Sequence, residues 1–185
     1  MNLSLVQVSA VATRPWKNGG GVARDLLQWP DGADPWLTIS VADISRDGPF
    51  SPYPGTDRWF VVLQGSGVEL RWDQAVRRLR AGRAVLHFDG AEAPDCQLAG
   101  GPVSALNVLC RRGRGRLAVK SAAPLSEAPA GFTHFALFVR EAACLRPVDG
   151  SPLDLPAWSL AWGERLPMRL ALAADAHAWW IGFNR

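Results

Sequence analysis

The chain has 185 residues, 48% of them hydrophobic and 20% charged, with a formal net charge of +3. That length fits one domain or two small halves sharing a core, and the composition excludes a disordered or fibrous chain. A chain of this size buries roughly 70% of the surface its unfolded form exposes, so neither a disulfide nor a metal is required to hold it together.

From the N-terminus, Met1–Ala12 carries no positively charged segment of the signal-peptide kind, and no apolar run reaches the ~18 residues of a membrane helix. Cys96, Cys110 and Cys144 are odd in number and lack metal-ligand spacing. Reduced thiols, a cytoplasmic location and no membrane partner are the expectation.

The dominant hydrophobic period is two. In Trp36–Ile44, Leu37, Ile39 and Val41 alternate with Thr38, Ser40 and Ala42, which predicts a half-buried strand. Trp59–Leu63, a glycine turn at 64–67 and the alternating Val68, Leu70 and Trp72 predict a hairpin. Further strands are predicted at Val76–Arg80, Arg83–Phe88, Val103–Cys110, Arg116–Lys120, Thr133–Arg140, Trp158–Trp162, Met168–Ala173 and Ala176–Phe183. No segment carries a capped helical stripe. Many short strands at close spacing predict an all-β sandwich or barrel. Ala122–Gly131, with Pro124 and Pro129, reads as the linker between halves, and no residue-level repeat relates them.

Trp16-Lys17-Asn18-Gly19-Gly20-Gly21 leading to Arg24 and Asp25 is the richest stretch for chemistry. Three glycines free the backbone, successive amides can form an anion nest, and Lys17, Asn18 and Arg24 add donors. The same residues also suit a wide turn between edge strands. Trp16 is placed to wall a pocket. Residues 47–58 form a loop stiffened by Pro49, Pro52 and Pro54 that opens into Asp57 and Arg58. Arg58 suits a forked grip on a carboxylate, whereas Asp47 and Asp57 equally suit the satisfaction of loop amides.

His87, His134 and His177 are isolated, so no metal and no cofactor is expected. The basic runs Arg111–Arg116 and Arg77–Arg83 have no interleaved aromatic residues, which sets a nucleic-acid role last. Of the adjacent Trp179 and Trp180, strand alternation predicts one in the core and one exposed or at a subunit contact.

These residues resemble a known family. Trp16–Gly21 followed by Arg24, Ile39–Ile44 followed by Asp47-Gly48-Pro49-Phe50-Ser51 and Gly55-Thr56-Asp57-Arg58, and Gly101-Pro102 followed by Leu106–Leu109 are similar to the ordered blocks of the HutD/Ves proteins. The resemblance covers residues 16 to 110 and is loose beyond about residue 120. It implies an RmlC-like bicupin, with an N-terminal cupin barrel in residues 1–120 and a C-terminal half, 121–185, completing a second barrel. It also implies a metal-free pocket for a small carboxylate, in a sensor or regulator linked to histidine utilisation or stress response. The ligand-binding residues so implied are Trp16, Lys17, Asn18, Arg24, Ser40, Asp47, Phe50, Ser51, Asp57, Arg58 and Asn107, with Asp57 orienting Arg58. A metal-free isomerase, epimerase or hydrolase acting on a small organic acid, with Lys17 as base, is the alternative, and a homodimer is an open option. Two positions depart from the family pattern: Ala23 stands where a threonine is usual, and Ala105 where an aspartate is. Asp25 replaces the usual glutamate.

Overall fold

Alternating β-branched and aromatic residues, punctuated by glycine and proline, build strands almost throughout the computed structural model, which describes residues 3–16, 19–82, 84–148, 150–164 and 168–184. Among these there is no α-helix, only a 3₁₀ turn at Val8–Ala10. No helix among the described residues is long and apolar enough to cross a membrane.

In chain order the strands begin with β1 (Leu3–Gln7), then β2 (Arg14–Pro15), β3 (Gly21–Trp29), β4 (Leu37–Ile44), β5 (Gly48–Pro49) and β6 (Thr56–Gln64). They continue with β7 (Val68–Trp72), β8 (Ala75–Leu79), β9 (Leu86–Asp89), β10 (Asp95–Leu98) and β11 (Val103–Arg111). The remainder are β12 (Arg116–Ser121), β13 (His134–Val139), β14 (Ala143–Pro147), β15 (Leu153–Leu155), β16 (Ser159–Glu164), β17 (Met168–Ala171) and β18 (Ala178–Asn184).

The described residues fall into two units. One is Ala12–Arg114. It holds an antiparallel six-stranded sheet ordered β2-β3-β4-β11-β6-β9 and a four-stranded sheet ordered β5-β10-β7-β8. Phe50, Phe60, Val62, Leu70, Val103 and Ala105 form part of its apolar core. A fully buried side chain of the larger kinds contributes roughly 1.5–3 kcal/mol. Gly21 opens β3 where it crosses closest to β4: a Cβ there would lie 2.2 Å from the Asp43 carbonyl oxygen. That contact explains why glycine stands at this position.

The other unit contains the described residues through Val11 together with those from Gly115 on. Its sheets are five-stranded, β1-β16-β13-β18-β12, and three-stranded, β15-β14-β17. Phe135, Leu137, Leu145, Leu170 and Trp180 pack its core, and the Trp180 indole donates to Ser126 Oγ at 3.0 Å.

Three expectations change. The division at residue 120 moves, because β1 pairs with β16 and β12 with β18, so backbone hydrogen bonding assigns both strands to the C-terminal unit. Ala122–Gly131 is no linker: Ala122 donates to the Ala178 carbonyl, Leu125 to that of Leu170, and Ala122 and Ala128 are core residues. Trp179 and Trp180 do alternate along β18, yet both are 0% exposed, so neither is a surface tryptophan.

Burial raises the Cys96 thiol to about 12, with Asp47 adding to the effect, and the Cys110 thiol to about 11. The thiolate is the reactive species, so both are inert near neutral pH. Native protein treated with a thiol-reactive disulfide at pH 8 is expected to label at the half-buried Cys144 alone, and denatured protein at all three. Rapid native labelling of Cys96 or Cys110 would contradict the packing described.

Candidate ligand-binding site

Strand parity builds the site. On β11, Asn107 and Leu109 point to one face of the six-stranded sheet; on β4 the same face carries Thr38, Ser40 and Ala42. Asn107 lies opposite Ser40, and Ser40 opposite Asp25 of β3. Ala23 lies opposite Ala42. A bulge between Asp25 and Leu27 then shifts the parity, so that Gln28 rather than Leu27 returns to this face. The row opens on a cavity of ≈ 520 Å³, closed on another side by Trp16 and by Phe50, Ser51 and Tyr53 of the proline loop. That volume suits a small metabolite.

Arg58 enters from β6 and is 5% exposed. Its Nε and Nη2 donate to Asn107 Oδ1 at 3.1 and 2.6 Å. Its guanidinium carbon lies 4.4 Å from the Phe50 ring centroid and 5.5 Å from that of Phe88, and Tyr53 lies at 5.9 Å. Nη1 is buried without a hydrogen-bond partner among the described residues. No carboxylate pairs with Arg58 among the described residues, and burial lowers its pKa to about 10. Aromatic faces offset part of the cost of burying such a cation, but they do not replace a counter-ion.

At the other end of the row, Asp25 accepts from Arg14 Nη2 at 3.2 Å through both oxygens, with Gln28 Nε2 at 3.5 Å. Trp16 meets Phe50 edge to face at 6.5 Å, and Phe50 leans on Phe60 at 5.4 Å.

Trp16, Ser40, Phe50, Ser51, Arg58 and Asn107 therefore share one cavity. Lys17 and Asn18 lie outside the described residues. The amides of Trp16 and Gly19 are spent on the carbonyls of Gly21 and Trp16, as in a turn. Arg24 is not in the cavity: one residue from Ala23 and Asp25, it points to the other face and pairs with Asp43 at 2.6 Å, which also accepts from Ser104. Asp57 does not orient Arg58. Its parity places it on the outer face, where it meets His87 Nε2 at 3.2 Å and Arg112 at 3.3 Å, and Asn107 holds Arg58 instead. Asp47 braces the fold by accepting from the Leu98 amide at 2.8 Å.

Sequence reasoning missed Arg14, Asp25, Gln28, Thr38 and Tyr53 as lining residues. The alternation in β4 could have found Thr38; nothing local marked the others. Of the two departures from the family pattern, Ala23 lines the cavity, while Ala105 is 0% exposed in the core.

The basic run is largely neutralised. Arg111 and Arg114 converge on Asp34, holding its carboxyl below the usual range, and Arg112 bonds Asp89 at 2.9 Å. Among the described residues no group of three or more His, Cys, Asp and Glu side chains is placed to hold a metal ion.

The all-β fold, with a small-molecule-sized cavity in the Ala12–Arg114 unit, is cupin-like. The bacterial pirin from Escherichia coli solved with nickel(II) superposes with TM-score 0.67 at 9% identity, covering 98% of each chain. The HutD family profile matches residues 8–180, and the chain belongs to that family. It is 35% identical over 121 residues to the 21.2 kDa protein of the hutC 3′ region of Pseudomonas putida, a stretch covering 62% of this chain and 63% of that protein. The match thus spans just under two thirds of that relative's length. Protein Ves of Cronobacter sakazakii is 27% identical over 121 residues, covering 65% of this chain and 67% of that protein. A conserved protein of unknown function from Pseudomonas aeruginosa PAO1 superposes with TM-score 0.88 at 25% identity over all of both chains. HutD from Pseudomonas fluorescens SBW25 superposes with TM-score 0.85 at 19% identity, covering 99% of this chain and 98% of that one.

Proposed function

We propose that the chain binds a small carboxylate metabolite in the Arg58 cavity and acts as a metal-free sensor or regulator rather than as an enzyme. One observation carries this reading: a buried guanidinium lines the cavity with no counter-charge and with one nitrogen unpartnered among the described residues. A ligand carboxylate supplies the missing charge, and Ser40, Ser51 and Asn107 supply polar contacts around it. The P. putida relative belongs to the hutC 3′ region, which supports a place in histidine utilisation. Lining by Trp16 and Phe50 suits a ligand with a flat or apolar body.

The bicupin reading is part of the same proposal, with each unit taken as one barrel. Its support is that each unit has two sheets and its own apolar core. The enzymatic alternative has less support, because Asp57 faces outward and Asp47 is spent on a backbone amide. The ion pairs of Arg111, Arg112 and Arg114 likewise weaken the nucleic-acid alternative.

A thermal-shift series with formate, urocanate, formylglutamate and formiminoglutamate tests the reading. An acid at 100 times its dissociation constant adds about 2.7 kcal/mol. A melting temperature unmoved by all four acids would sink the proposal, and consumption of any of them, followed by NMR, would replace it with the enzymatic one.

A further inference from the structure

A second depression, of ≈ 420 Å³, lies in the Ala12–Arg114 unit and shares no lining residue with the Arg58 cavity. It lies at the ends of two sheets: β9 is the last strand of the six-stranded sheet and β8 the last of the four-stranded one. Its floor is apolar and aromatic. Leu86 and Phe88 come from β9 and Trp72 from β7, with the Phe88 and Trp72 rings edge to face at 5.5 Å. His87, between Leu86 and Phe88 on β9, lines the groove only along the strand edge, because alternation turns its imidazole to the opposite face. That ring is backed by Trp59, stacked at 4.5 Å and 19°, and its Nε2 lies 3.2 Å from Asp57.

The charges around this groove differ from those elsewhere on the same hairpin. Arg71 and Arg78 both reach Glu69, at 2.6 and 2.5 Å, and Asp89 is held by Arg112. Arg77 and Glu92 also line the groove, but among the described residues neither has an ion-pair partner. Arg77 reaches a backbone carbonyl, that of Val76, at 3.2 Å. A guanidinium and a carboxylate thus face one aromatic-floored groove without pairing with each other.

We propose that this groove binds a free aromatic amino acid as its zwitterion. The ring lies against Leu86, Trp72 and Phe88, the α-carboxylate sits on Arg77, and the α-ammonium on Glu92. An arginine fork suits the planar carboxylate, and ring contacts of this kind add to the area they bury. An occupant with a single charge leaves one of the two groove charges unanswered, which is what selects the zwitterion over a simple amine or acid.

The test uses the full ¹⁵N-labelled chain titrated with L-phenylalanine, phenethylamine and 3-phenylpropionate, read by amide and indole shifts. L-phenylalanine is expected to move the Trp72 indole and the amides of Leu86–Asp89, and to bind at least about fivefold more tightly than either analogue. Arg77→Ala and Glu92→Gln, both at exposed positions, are each expected to weaken it about tenfold, the loss of one charge-assisted contact. Phenethylamine should lose affinity with Glu92→Gln alone, and 3-phenylpropionate with Arg77→Ala alone. Shifts centred on Ser40 and Asn107 would overturn the proposal by placing the ligand in the other cavity. Undiminished binding by both variants, or no shift at 10 mM (about the weakest affinity such contacts leave), would overturn it equally.

Discussion

Arg58→Met is expected to abolish the thermal shift produced by small carboxylates while leaving the unliganded protein as stable as the natural chain, or more so. Arg58 is the buried cation of the cavity, and its surroundings hold it without a carboxylate. Its pKa falls from the ordinary arginine value to about 10 on folding, chiefly through desolvation. A base with a depressed pKa destabilises the folded state. The cost is fully present below the folded value and is relieved as pH rises from about 10 toward the ordinary arginine value. The shift corresponds to ~3 kcal/mol. Methionine removes that cost and fills similar space among Phe50, Tyr53 and Phe88. Against it stands Asn107 Oδ1, which loses both donors, a penalty of about 1–3 kcal/mol. The two terms nearly cancel, so urea unfolding at pH 7 should read stability unchanged or raised, and the ligand response should vanish. A variant that still responds to carboxylates would remove Arg58 from the site.

Asn107→Leu has the opposite signature. It leaves the guanidinium charged and buried with its Nε and Nη2 hydrogen bonds gone. Hydrogen bonds to charged groups contribute about 1.5–3 kcal/mol each, and the remaining aromatic contacts recover part of the loss. A destabilisation of about 3 kcal/mol is expected, which for a chain of this length lowers the melting temperature by about 10 °C. The double variant Arg58→Met/Asn107→Leu should recover most of it, because neither polar group is then stranded. A non-additivity of about 2 kcal/mol in that cycle is the mark of direct coupling. Strict additivity would mean that Asn107 acts on the sheet rather than on Arg58.

Family membership and much of the candidate site were legible in the residues. Trp16, Ser40, Phe50, Ser51, Arg58 and Asn107 were named from local blocks, and the structure brings all six to one cavity. The errors share a physical cause. A strand shows its residues to alternate faces, so a shift of one position separates a ligand contact from a surface ion pair. Arg24 and Asp57 carry the chemistry expected of a site but sit one residue out of phase with Ala23, Asp25 and Arg58. Gln28 escaped because the bulge that returns it to the cavity side leaves no mark in hydrophobic pattern.

The period-two pattern by itself determined that the chain is all-β, since alternation is written into neighbouring residues and needs no partner to be read. Ordered glycine, proline and arginine blocks determined the family. The strand partners were decided by the tertiary structure alone. Pairing of β1 with β16 joins residues more than 150 positions apart in sequence. Counter-charges were decided the same way: Asp34 neutralises Arg111 and Arg114 from a distant loop, while no carboxylate among the described residues reaches Arg58. Ionic pairing acts through space, and a cation's place in the sequence carries no record of whether an anion will meet it.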